Sequence, residues 1–196
     1  MNSVKFTIDY PQELSRGKLL LKTFFGWFYV GVPHGIILGI LGLISGLMLF
    51  LAWWVVLFTG KYPKRMFDFI VNTSRWGMRV SAYLCLMTDV NPPYRFENPD
   101  SPVKLDIVYP ESLSRGKLLL RLFFGWLYVG VPHGIILGAL GALAGVIILI
   151  CWFIILFTGK FPEGMFNLVV GYIRWALRVS AYTEFLTDDY PPFSLD

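Results

Sequence analysis

The sequence predicts a mainly α-helical integral membrane protein. It is built as two tandem repeats, each a helical hairpin in the membrane plus an amphipathic interfacial helix, with short β-strands at the cytoplasmic face. Three observations lead there. First, the 196 residues are 56% hydrophobic and 15% charged, with a mean hydropathy of +0.60, against about 25% charged in soluble domains. Second, Thr23–Phe58 and Leu122–Phe157 each run for 36 residues without Asp, Glu, Lys or Arg, far beyond the roughly 20 residues of a membrane span. Third, a shift of 99 residues lays the chain on itself without a gap, and more than half the positions from Tyr10 onward are identical. Such self-similarity marks a tandem duplication: residues 1–97, a linker at 98–102, and residues 103–196.

Each repeat opens with a short alternating segment, Val4–Ile8 or Val103–Ile107, which reads as a strand with one apolar face. Next comes "LSRGK", where Ser15 and Ser114 stand as helix N-caps ahead of the apolar tract. The polar start, "MNSVKFTIDYPQELSRGK", does not read as a signal peptide, which needs a basic segment followed by an apolar core.

The tract itself is too long for one upright span. As a single helix it measures about 54 Å, against a hydrocarbon core of about 30 Å. "VPHG" recurs inside both tracts, and a proline without an N–H beside a flexible glycine is where a break is expected. Charge agrees with a hairpin. Arg16, Lys18 and Lys22 precede the first tract while Lys61, Lys64 and Arg65 follow it; Arg115, Lys117, Arg121 and Lys160 repeat the pattern. Basic residues at both flanks place both ends, and both termini, on the cytoplasmic side. The expectation is four membrane-inserted helices, with the copies related by a pseudo-two-fold along the membrane normal. The first arm, about 25 Å, either crosses with Lys18 and Lys22 snorkelling or is re-entrant.

The second arm carries Gly35, Gly39, Gly42 and Gly46, repeated as Gly134, Gly138, Gly141 and Gly145. Spacings of four, three and four keep one helix face bare, the pattern of a helix-packing seam, internal or toward a partner. Beyond the tract, Asp68, Asn72, Arg75 and Arg79 are matched by Asn167, Gly171, Arg174 and Arg178. This narrow polar stripe on an otherwise apolar helix suits the membrane interface. A solvated face is the plainer reading; Arg75 with Arg79, and Arg174 with Arg178, are candidates for an anionic lipid headgroup. "PPY" and "PPF" near the repeat ends read as extended segments.

His34 and His133 are the only histidines. They are expected to cap carbonyls freed by the Pro-His-Gly turn. A ligand or proton-sensitive pair across the pseudo-two-fold is the alternative. No Ser-His-Asp set, HExxH, CxxC or P-loop occurs, and Asp89 and Asp188 read as helix-end turn residues. With two cysteines at non-equivalent places, Cys85 and Cys151, neither a metal site nor a disulfide framework is indicated. No cofactor is expected, although haem or quinone at the histidine turns is a distant third reading.

The blocks "LSR.KLLLR.FF", "VPHGIIL", "LFTGKFPEGMFNLVVGYIRW.LRVSAY" and "LTDDYPPFSLD" resemble a bacterial membrane family catalogued as domain of unknown function 4389. The resemblance covers nearly the whole chain as two copies, and the second fits better, with Glu163-Gly164 where the first has Lys64-Arg65. It implies a bacterial inner-membrane protein and transfers no catalytic residue. The expected function is therefore a non-enzymatic multi-pass membrane protein, an accessory or scaffold subunit of a larger complex. Its partners would be membrane lipids, including anionic headgroups, and other membrane subunits or copies of itself, with no nucleic acid. The alternative is a lipid or small-solute carrier using the inter-repeat interface and the paired histidines.

Overall fold

The computed structural model describes residues 3–196. Its elements, in chain order, are β1 (Val4–Ile8), α1 (Arg16–Gly26), a π-helical turn (Trp27–Gly31), α2 (Val32–Thr59) and α3 (Lys64–Leu84). The second copy repeats them as β2 (Val103–Ile107), α4 (Arg115–Gly125), a π-turn (Trp126–Gly130), α5 (Val131–Thr158) and α6 (Glu163–Thr183). The expected strands, caps and amphipathic helices are all present. Ser15 Oγ accepts from the Lys18 N–H at 3.3 Å and Ser114 Oγ from that of Lys117 at 3.4 Å. Gly60 and Gly159 close α2 and α5 in the left-handed conformation, both at φ 72°, where a side chain would be strained.

The hairpin does not form. Arg16–Thr59 and Arg115–Thr158 are each one continuous helix of 44 residues, and the backbone stays right-handed helical through Gly26, Trp27, Gly31 and Val32. The π-turn is why the proline fails to break the chain. The Val32 N–H reaches back five residues to the Trp27 carbonyl, so the widened turn absorbs the ring and the missing donor of Pro33. In the second copy the carbonyl that Pro132 cannot serve, that of Tyr128, accepts from the Tyr190 hydroxyl at 3.0 Å.

The two long helices run antiparallel. Arg16 Nη2 donates to the Phe157 carbonyl at 2.9 Å, and Trp152 Nε1 donates to Thr23 Oγ1 at 2.8 Å. As numbers rise along α1 they fall along α5, and α4 meets the end of α2 in the same way. Midway, α2 and α5 scarcely touch. α3 folds back along α2, and α6 along α5.

A two-stranded antiparallel ribbon joins the copies, with Phe6 opposite Leu105 and Val4 opposite Ile107. The 99-residue shift carries the pair Val4–Ile107 onto Val103–Ile8, so a pseudo-two-fold passes through the ribbon centre, normal to its faces. Val4, Phe6, Ile8, Val103, Leu105 and Ile107 point inward and are buried, whereas Lys5, Thr7, Lys104 and Asp106 are exposed. Matching bonds repeat across the axis: Leu14 N–H to the Gly159 carbonyl at 2.7 Å, and Leu113 N–H to that of Gly60 at 2.8 Å.

Candidate functional site

Three sets of polar side chains hold the helices in place, two fastening each long helix to its own repeat and one tying the copies and repeat ends together. The first was hidden in the sequence. Lys22, 6% exposed, donates to Asp89 Oδ1 at 2.6 Å and to the Thr88 carbonyl at 2.7 Å, and lies over the Tyr83 ring. Asp89 Oδ2 takes the Ser15 N–H at 2.7 Å, a carboxylate at the positive end of the helix dipole. In the second copy Arg121 occupies the same place, bound to Asp188 and to the Tyr182 and Thr187 carbonyls. Lys22 therefore does not snorkel, and Asp89 and Asp188 are ion-pair partners as well as turn residues. The "TD" that follows each surface helix, 67 residues beyond the last basic residue of each apolar tract's leading segment, Lys22 or Arg121, was the available signal.

The histidines form the second set. His34 and His133 are 1% and 0% exposed. Trp76 Nε1 donates to His34 Nδ1 at 2.9 Å and Trp175 Nε1 to His133 Nδ1 at 3.0 Å. An indole N–H can only donate, so each Nδ1 is unprotonated and each ring carries its proton on Nε2. That N–H faces the Pro92 carbonyl in the first copy and the Tyr190 hydroxyl, 3.1 Å away, in the second. The rings also stack on Tyr94 and Phe193 at centroid distances of 4.0 and 4.1 Å. The Nδ1 of each ring and the Nε2 of His133 are bonded inside their own copy. The histidines do not meet across the pseudo-two-fold, and the freed Tyr128 carbonyl is capped by the tyrosine that His133 holds, not by the histidine itself.

The arginines are the third set. Arg75 Nε donates to the Leu105 carbonyl at 2.7 Å and Arg174 Nε to that of Phe6 at 3.0 Å, each tying its helix to the strand of the other copy. Arg79 and Arg178, both 5% exposed, hold the extended repeat ends. Arg79 bonds the Phe96 carbonyl at 3.0 Å, and Arg178 that of Ser194 at 3.3 Å and that of Asp196. Burial pulls both guanidinium pKa values below the ordinary arginine range, and for Arg79 the positive charges of Arg95 and Arg75 add to it. Arg75 and Arg79 bond different backbone carbonyls, and both line one open surface pocket of about 390 Å3 with Asn72, Lys104 and Asp106.

The glycine seam faces outward. A Cβ added at Gly35, Gly39, Gly42, Gly46, Gly134, Gly138 or Gly145 would meet nothing within 4 Å; only Gly141 is packed, with the Tyr172 hydroxyl 2.9 Å from that position. Around the glycines lies the largest feature of the surface. Large apolar side chains from Leu20 through Phe24, Trp27, Ile36, Leu43, Leu47 and Trp54 to Phe58 are exposed along the first helix, and Leu119 through Phe157 repeat the stripe along the second. Both helices are long and apolar enough to cross a membrane, and only 6% and 22% of the most apolar stretch of each is buried. Contiguous exposed apolar surface of this kind marks a membrane or interaction face. Among the described residues no His, Cys, Asp and Glu side chains gather into a metal-binding group.

The family described as Domain of unknown function (DUF4389) matches residues 21–95 and 115–194. The chain belongs to this family and carries it twice. No curated protein and no solved structure matches.

Proposed function

We propose that this protein is a non-enzymatic membrane module, embedded from the cytoplasmic side of the bacterial inner membrane, that serves as a scaffold for other membrane components. The observation that carries this reading is the position of the charged ribbon on the pseudo-two-fold. Were that axis in the membrane plane, Lys5, Lys104 and Asp106 would face hydrocarbon near the bilayer centre, at a cost of about 2.5–3.5 kcal/mol for each such residue. Along the membrane normal, the axis keeps them in water.

With the axis along the normal, equivalent residues lie at equal depth. Arg16 touches Phe157, so all four ends of the long helices then share one depth. Each helix enters and leaves on the same side, lying in or dipping into the near leaflet with its apolar stripe toward lipid. The length agrees, since 44 residues make about 66 Å of helix against a hydrocarbon core of about 30 Å. Basic residues at both ends of both helices also agree. The outward glycine faces supply bare surface on which helices of other subunits can seat, and this supports the scaffold role.

Two experiments test the reading. Alkaline carbonate washing should leave the protein in the membrane pellet; release into the supernatant contradicts embedding. Purification from native membranes in lipid nanodiscs should yield an assembly with other membrane proteins, whereas a lone chain contradicts the scaffold.

A further inference from the structure

A partly open apolar pocket lies between the repeats. A cavity of about 410 Å3 lies between α3, α5, α6 and β1, bounded by Phe6, Met78, Cys85, Ala144 and Val169. Small residues line it: Gly141, Ala144 and Gly145 on α5, with exposed Gly145 at its edge, and Ala176 and Ser180 on α6. Its walls carry no charged side chain. The only polar groups among them are the hydroxyls of Ser81, Ser180 and Tyr172 and the Cys85 thiol, whose pKa burial pushes up.

The cavity continues sideways. A groove of about 300 Å3 between α1 and α5 shares Gly145 and Ile148 with it and runs out past Thr23, Leu149 and Trp152. Leu149 is 63% exposed and belongs to the outward apolar stripe. Cavity and groove thus meet at Gly145 and Ile148, and the groove opens beside the lipid-facing stripe with no free charge on its walls. Lys22 lies at the groove, but its ammonium is held by Asp89.

The equivalent region of the other copy is built differently. Its equivalent groove, of about 370 Å3 past Gly46, Phe50, Trp53 and Leu122, shares no wall with the cavity. Phe185 stands there in place of Leu86, and the residue equivalent to Cys85 is Glu184.

We propose that the cavity and its lateral groove hold one acyl chain of a membrane lipid. An elongated, uncharged, mostly aliphatic channel of this size suits a flexible hydrocarbon chain, and pockets of a few hundred Å3 with few polar groups are ordinary ligand sites. This inference rests on the membrane-embedded reading above, because lipid must reach the groove from the bilayer.

The test uses full-length protein in vesicles of phosphatidylethanolamine and phosphatidylglycerol, doped with a phosphatidylcholine whose palmitoyl chain ends in a photoreactive diazirine. Cross-linked peptides are mapped by mass spectrometry. Cross-links are expected on the outward stripe, at Leu43 and Leu149, and also on the inner wall, at Met78 and Ala144. Gly145→Leu, whose side chain fills the junction of cavity and groove, should lose the inner cross-links and keep the outer ones. If it does not fold, Ser180→Leu fills the cavity from the opposite wall and should read the same. Outer cross-links without inner ones in the parent protein overturn the acyl-chain site while leaving embedding intact. So do inner cross-links that survive both filled variants. Absence of both sets overturns the embedded reading itself.

Discussion

Asp89 binds Lys22 and the Ser15 N–H at once, at 2.6 and 2.7 Å, so one carboxylate closes a buried ion pair and caps the long helix that Lys22 belongs to. The second copy makes the same joint with Arg121, Ser114 and Asp188. Lys22→Arg, which imports the second copy's solution, should therefore leave the melting temperature nearly unchanged. Asp89→Asn strands a buried ammonium and should destabilise by about 3 kcal/mol, in the range for breaking a buried pair. Thermal unfolding in detergent, followed by circular dichroism, measures both.

The indole–imidazole bond makes a second prediction. Trp175→Phe leaves His133 Nδ1 buried without its donor and should cost about 1–3 kcal/mol. Adding His133→Phe removes the stranded acceptor, so the double variant should be less destabilised than the two single losses combined. Simple additivity in denaturation would mean that the bond between them contributes nothing.

Glu184 gives a pH dependence. Burial raises its pKa above the ordinary 4.5, so the folded state holds this proton more tightly than the unfolded state does. The favourable contribution is complete below pH 4.5 and is lost as pH rises through the folded value. Glu184→Gln should accordingly raise the melting temperature at pH 7 to 8 and flatten the dependence above pH 4.5. An unchanged profile in Glu184→Gln would show that another group is responsible.

The outward glycines separate folding from assembly. A Cβ at Gly39 meets no other described residue within 4 Å, and leucine favours helix over glycine by up to about 1 kcal/mol. Gly39→Leu should therefore leave the isolated protein at least as stable as the parent. If the bare face seats a partner helix, the same substitution should reduce the proteins that co-purify from native membranes.

Much of this architecture was legible in the sequence, and the exceptions have physical causes. Strands, caps and surface helices follow from local rules: alternation at Val4–Ile8, Ser15 before a helix, a polar stripe every three to four residues from Asp68. The continuous helix did not follow, because Pro33 and Gly35 are breakers only in an ordinary α-helical turn, and no sequence rule signals the π-turn at Trp27–Gly31. The ion pairs and the histidine–tryptophan bonds join residues 67 and 42 positions apart, distances at which only the fold decides who meets. The arginines form the stripe that their spacing indicates, but spacing alone does not show what they bond. The carbonyls of Leu105 and Phe6 that bind Arg75 and Arg174 belong to the opposite repeat, and the pairing of β1 with β2 brings them there.

The central claim is that each long helix begins and ends on one side of the membrane. It is tested by placing single cysteines at Arg16, Lys61, Arg115 and Lys160 in a chain lacking Cys85 and Cys151, then labelling sealed inside-out and right-side-out vesicles with a membrane-impermeant maleimide. All four positions should label from the cytoplasmic face alone. Labelling of Arg16→Cys and Lys61→Cys from opposite faces would mean that the helix crosses the bilayer, and would contradict the account.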